Sequence, residues 1–141
     1  MFLLDTDYAG LIQTRSQPHY ARIVARMQQH SLADFYFPIV AFHEQVMGSN
    51  SYISRATNWA GVVRGYGLLE EILIHFKAAQ ILAFHEPAAL QFERLRKQSV
   101  RIGTMDLRIA SIALSHSMTV LTRNLADFER VPGLQVEDWS V

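Results

Sequence analysis

Short apolar runs in this chain alternate with longer stretches in which apolar positions recur every three or four residues. Phe2-Leu3-Leu4 reads as a buried strand that stops at the polar cluster Asp5-Thr6-Asp7. Between Pro18 and Gln29, Tyr20, Ile23, Val24 and Met27 fall at helical spacing, with Arg22, Arg26 and Gln29 outside; Pro18 suits a first helical turn. Phe35-Tyr36-Phe37 reads as a second strand closed by Pro38, and a helix through Val40, Glu44 and Met47 is expected to stop at Gly48. Over residues 53–76 the stripe Trp59, Val62, Val63, Tyr66, Leu69, Leu73 and Phe76 predicts helix. Gly61, Gly65 and Gly67 interrupt it, each costing about 1 kcal/mol relative to Ala, which predicts a break or tight packing at 65–67. Ile81-Leu82-Ala83-Phe84 is a third strand, and Pro87 opens a helix with Ala88, Leu90 or Gln91, and Leu95 along it and Arg94, Arg96 and Lys97 outside. Gly103-Thr104 starts a helix through Ser117, Thr119-Val120-Leu121 is a strand, and Gln135-Val136-Glu137 forms a last short one.

Strands alternating with helices predict an α/β fold with a mainly parallel sheet. Right-handed crossovers then place every strand's carboxyl end on one edge, where such sheets bind ligands. Without an internal repeat, a low-complexity tract or a Pro/Gly/Ser-rich linker, residues 1–141 read as a single domain. Half the residues are apolar, enough for a core, which argues against a disordered chain.

The acids draw attention because they sit at those strand ends. Asp5 follows the first strand. Glu44 comes four residues after Val40 and three before Met47, which places it on their apolar face; glutamate is rarely buried without a partner. Asp106 precedes Ile109, Ala110 and Ala113 by three, four and seven residues, on the buried face of its helix. Favourable charge against the helix dipole, worth about 0.3–1 kcal/mol, accounts for an acid in the first turn but not for its inward direction. Asp127 follows Thr122-Arg123-Asn124 as a loop carboxylate beyond the strand at 119–121. A solvated turn would explain Asp5 or Asp127 taken singly.

If the four converge, mutual repulsion raises their pKa values, and a hard divalent cation relieves it. The chain has no cysteine and no paired histidines, so oxygen-only ligands select Mg²⁺ or Mn²⁺ over zinc. Such a site suits phosphodiester hydrolysis.

Charge limits the partners. Thirteen basic and thirteen acidic residues leave no net charge, which excludes a polybasic nucleic-acid binder. Residues 106–141 nevertheless carry five acids against three bases. Attraction for RNA must then come from patches, with Arg94, Arg96, Lys97 and Arg101 as one group and Arg108, Arg123 and Arg130 nearer the acids. An ordinary solvated basic face explains the first group equally well. The apolar runs fall far short of the roughly 18 residues a membrane span needs. Met1 leads straight into Phe2-Leu3-Leu4 with no basic leader, so the cytoplasm is the expected compartment.

Other motifs fail on inspection. His43-Glu44-Gln45-Val46-Met47 begins like a zinc-protease helix, but Met47 stands where the second His is required. Asp5-Thr6-Asp7 after a strand suggests a phosphoryl-transfer aspartate, but Ala9 occupies the position of the needed Thr. The six histidines show no ligand spacing, and no glycine-rich phosphate loop occurs.

Taken in order, the motifs resemble PIN-domain ribonucleases, specifically the VapC-type toxins of toxin–antitoxin pairs. The matching segments are Leu4-Asp5-Thr6-Asp7, Glu44 with Gly48, Ile102 to Ala110, Leu121-Thr122-Arg123-Asn124, Asp127 to Leu134, and Glu137-Asp138-Trp139. Residues 49–85 match only in length and helical character. The resemblance implies a three-layer α/β/α fold with a short, mainly parallel sheet and an acidic pocket for Mg²⁺ or Mn²⁺. It carries the core acidic positions to Asp5, Glu44 and Asp106, the less regular fourth to Asp127, and supporting polar positions to Thr122 and Asn124, with Asp7 auxiliary. Gln45 replaces the usual apolar residue after the glutamate, and Arg123 replaces a frequent Asn. The resemblance also implies a homodimer and a cognate antitoxin. The expected function is a metal-dependent endoribonuclease toxin; the alternatives are a catalytically silent PIN module acting as a scaffold and a phosphatase that uses Asp5 as nucleophile.

Overall fold

The computed structural model describes all 141 residues. Five short strands, β1 (Phe2–Leu4), β2 (Phe35–Pro38), β3 (Ile81–Leu82), β4 (Thr119–Leu121) and β5 (Gln135–Glu137), form one sheet in the order β3-β2-β1-β4-β5. Every pairing is parallel, with Phe2 opposite Phe35 and Thr119, and Leu4 opposite Leu121. All carboxyl ends therefore lie on one edge, and the most N-terminal strand occupies the centre.

Successive residues of a strand point to opposite faces, and in β1 both faces are buried. Leu3 packs with Val40, Leu95, Ile109 and Ile112 in a core under α3 (Ile39–Arg55), α5 (Glu86–Lys97) and α6 (Thr104–Ser115). Leu4 packs on the other side with Tyr8, Leu11, Ile23 and Trp139, under α1 (Thr6–Thr14) and α2 (His19–Met27). Two cores on one sheet make the three-layer α/β/α arrangement that the PIN-domain resemblance implies.

Several boundaries differ from expectation. Gly48 does not stop its helix: α3 runs on to Arg55, and nothing lies within 4 Å of where a Cβ at Gly48 would sit. Met47 is half exposed, so Glu44 shares a face with Val40 but not with Met47. The stretch 53–76 is divided at Ala56–Asn58, not at 65–67, and α4 (Trp59–Lys77) is continuous. Of the two outcomes expected at 65–67, tight packing is the one found: a Cβ at Gly65 would stand 2.4 Å from Ile53 Cγ1. The third strand is only Ile81–Leu82, and α6 ends at Ser115 because Ser117 turns left-handed at φ 54°. Helix α1 and the short helix α7 (Leu125–Phe128) have no counterpart among the expected elements. Asp127 accordingly lies on a helical turn and not in a loop.

No helix is long and apolar enough to cross a membrane. Much of the α4 stripe is not core: Trp59 is 80% exposed, and Val63, Tyr66, Leu73 and Ile74 also face outward.

Candidate active site

The chain leaves β1 at Leu4 and turns at once into α1, so Asp5 is both the last residue of the central strand's edge and the N-cap of a helix. Its Oδ1 accepts the Tyr8 backbone N–H at 2.9 Å. Only 5% of Asp5 is exposed. Burial pushes its carboxyl up to about 6; hydrogen bonds from the Thr122 side chain and the Tyr8 N–H hold it back, while Asp7 and Asp106 add repulsion. Thr122 is itself fully buried at the end of β4, and its Oγ1 accepts the Asn124 N–H at 2.9 Å.

Glu44 projects from the second turn of α3, and the Thr6 hydroxyl donates to its Oε1 at 2.6 Å. Asp106 stands in the first turn of α6, half-buried and inward. Burial, then repulsion from Glu44 and Asp127, raises its carboxyl above the ordinary range. The Asn124 amide spans the last two acids, donating to Asp127 Oδ2 at 3.0 Å and lying 3.5 Å from Asp106 Oδ2. Asp127 also has Arg130 Nη1 at 3.7 Å. Asp7 faces outward and is held by Arg123.

Asp106 is therefore the electrostatic centre: Asp5, Glu44 and Asp127 all act on it or are acted on by it. The four sequence-predicted acids share one edge of the sheet, with Thr122 and Asn124 among them. Three ion pairs form in the whole chain, and none neutralises Asp5, Glu44 or Asp106. Buried, mutually repelling carboxylates without a Lys or Arg partner are costly. Their donor chemistry, carboxylate, hydroxyl and amide oxygen, fits a hard divalent cation. As the side chains stand, no three acids gather closely enough to cage an ion. That suits Mg²⁺, which keeps several waters and takes one or two carboxylates. A cavity of about 700 Å³ between the end of α3 and the start of α4, lined by Tyr52, Arg55, Asn58 and Arg64, contains none of these acids.

No protein-family model matches the chain. Among solved structures, VapBC-1 from nontypeable Haemophilus influenzae superposes with a TM-score of 0.75 over 99% of this chain and 98% of that one, at 24% identity. The tRNA(fMet)-specific endonuclease VapC of Salmonella typhimurium is 26% identical over 98% of this chain and 97% of its own. Toxin FitB of Neisseria gonorrhoeae is 30% identical over 91% of each chain. The chain belongs to the VapC-type PIN toxin family.

Within this VapC-type toxin, two contributors to the site escaped sequence reasoning. Thr6 looks like part of a polar turn, but it pins Glu44. Tyr8 looks like an ordinary core residue, but its backbone holds Asp5 while its hydroxyl bonds Asp138 Oδ1 at 2.7 Å. The signal for both was an N-cap signature, Asp5 ahead of apolar Tyr8, Leu11 and Ile12 at spacings of three and four.

Proposed function

We propose that this VapC-type toxin is an endoribonuclease that depends on a divalent cation, Mg²⁺ or Mn²⁺, held by Asp5, Asp106, Glu44 and Asp127. The observation that carries the reading is a set of half-buried and buried carboxylates at the sheet's ligand edge, two of which, Asp5 and Asp106, are raised in pKa by burial and by their acidic neighbours, with no protein cation among Asp5, Glu44 and Asp106. A bound divalent cation supplies charge neutralisation at the phosphoryl oxygens and lowers the pKa of the attacking water.

The protein's own groups prepare that chemistry. Tyr8 N–H and Thr122 fix the direction of the Asp5 carboxylate. Thr6 occupies Oε1 of Glu44, and Asn124 keeps Asp106 and Asp127 from splaying apart. The fully buried Leu4 and Leu121 form a dry floor beneath the acids, which strengthens every charge interaction above it.

RNA is the substrate in this reading, and the names of the relatives as endonuclease and toxin support it. A cognate antitoxin is the expected partner, supported by the VapBC complexes among the structural neighbours. The outward apolar residues of α4 give a protein partner or a second copy in a homodimer something to cover.

The purified chain incubated with RNA should cleave it in Mg²⁺ or Mn²⁺ and stop in chelator. Asp106→Asn should lower the rate by at least about 100-fold, on the scale of losing one charge-stabilising group. Cleavage that persists in chelator, or in both Asp5→Asn and Asp106→Asn, overturns the assignment.

A further inference from the structure

We propose that Arg123 contacts substrate, gripping a phosphate of the RNA backbone beside the bond to be cut, while Asp7 holds the guanidinium ready. This rests on the ribonuclease reading above.

Arg123 lies between Thr122 and Asn124, the two polar residues that serve the acids. Its Nε donates to Asp7 Oδ2 at 2.6 Å and its Nη2 to Asp7 Oδ1 at 2.7 Å. Two of the five N–H donors of the fork are thereby used. Nη1 makes no hydrogen bond within the protein, and the Arg123 side chain is 40% exposed. The charges of Asp5 and Asp138 also act on it, which places it on the Asp5 side of the site.

Stability does not account for this pair. Ion pairs as exposed as this one contribute little to the fold, and the guanidinium touches no other element through a hydrogen bond. Substrate does account for it. An edge lined with acids repels a polyanion, so a phosphate beside it needs a cation that can meet it in a fixed orientation. A planar fork suits phosphate better than a point charge. Anchoring one edge of the fork on Asp7 removes rotamer freedom before the ligand arrives. Arg130, the other cation beside the site, is committed differently, with its Nη1 on the Arg101 carbonyl at 3.1 Å and near Asp127.

Asp7 then has two opposed effects: it orients Arg123, and it competes with phosphate for the same charge. In the high-dielectric surface setting, competition dominates. Removing the carboxylate should strengthen RNA binding, while removing the guanidinium should weaken it. A purely structural clasp makes the opposite claim, that breaking it from either side has the same effect.

The experiment measures binding of a short single-stranded RNA across a salt series, using full-length protein in an Asp106→Asn background so that the RNA survives. Arg123→Gln should weaken binding about tenfold, the scale of one charge-assisted contact, and flatten the salt slope by about 0.7. Asp7→Asn should tighten binding without flattening that slope. In the active background, Arg123→Gln should raise KM more than it lowers kcat. Shifts of the same sign in both variants, or an unchanged slope in Arg123→Gln, overturn the inference and leave the nuclease reading standing. A parent chain that neither binds nor cuts RNA overturns both.

Discussion

As N-cap of α1, Asp5 accepts a backbone N–H, a bond that Asn accepts equally well. The negative charge is what the fold resists. Its carboxyl sits near 6 when the ordinary value is 3.8, a difference equivalent to about 3 kcal/mol against the ionised form. Asp5→Asn should therefore abolish cleavage and raise the melting temperature of metal-free protein at pH 7.5. A lowered melting temperature would contradict this account of the site. The same sign governs pH. A group with a raised folded pKa contributes stability that is fully present below the unfolded value and lost as pH rises through the folded one. Asp106, raised by burial and its neighbours, behaves alike. Asp138 is the reverse: burial pushes it up, but hydrogen bonds from Ser140 and Tyr8 outweigh that and hold it below the ordinary range. Its contribution exists above the unfolded value and is lost as pH falls through the folded one. Melting in chelator should rise from pH 7.5 toward pH 5 and fall again below about 4, and Mn²⁺ at pH 7.5 should recover much of the deficit. At this scale the sequence was informative. Glu44 and Asp106 were visible because helical phase turns them toward the core, and Asp5 and Asp127 because they follow strands at the edge where a parallel sheet binds ligands. Thr6 and Tyr8 were not, because their roles depend on which atom faces which partner across the fold.

The α3–α4 hairpin shows how glycine reads differently in sequence and in space. Gly48 and Gly65 both lie inside helices and carry the same propensity penalty. Open space surrounds Gly48, so Gly48→Ala should stabilise by about 0.5–1 kcal/mol. At Gly65 an added methyl would meet Ile53 Cγ1 at 2.4 Å, with Tyr52 also close, so Gly65→Ala should destabilise by about 1–3 kcal/mol as the helices are forced apart. Thermal or urea unfolding of the two variants should give shifts of opposite sign. Sequence alone placed a stop at Gly48 because nothing local distinguishes a helix-ending glycine from one that is merely tolerated. It missed α1 for a related reason: the helix is nine residues long, contains Gly10, and is stabilised by burying Tyr8, Ala9 and Leu11. The strand β4 was legible to the residue because Thr119-Val120-Leu121 is a short apolar, β-branched run, and β5 because Val136 between polar Gln135 and Glu137 alternates with the period of a strand.

Across the whole molecule, distant parts of the chain meet at one hydroxyl. Tyr8 donates to Asp138 Oδ1 and accepts the N–H groups of Trp139 and Ser140 at 2.6 and 3.1 Å. Trp139 fills the core beneath α1 and α2, in edge contact with Phe2 and stacked on His30. Tyr8→Phe leaves the buried Trp139 N–H without its acceptor, while Asp138 keeps the Ser140 N–H and hydroxyl at 2.8 and 2.6 Å, and should cost about 1–3 kcal/mol in unfolding experiments. A loss of activity in Tyr8→Phe that exceeds the loss of folded protein would show that the bond also steadies Asp5. The α/β class and the parallel sheet followed from the alternation of strands and helices, whereas this closure links residues about 130 positions apart, and no local pattern announces it. The strand order has a further consequence for how the toxin is made. β1 is synthesised long before its partner β4 and the acid Asp127, which come more than a hundred residues later. A growing polypeptide therefore carries Asp5 with no strand on one side of β1 and no fourth acid until that later stretch is made. The acidic edge of the sheet cannot assemble its four carboxylates until β4 and α7 have both been made.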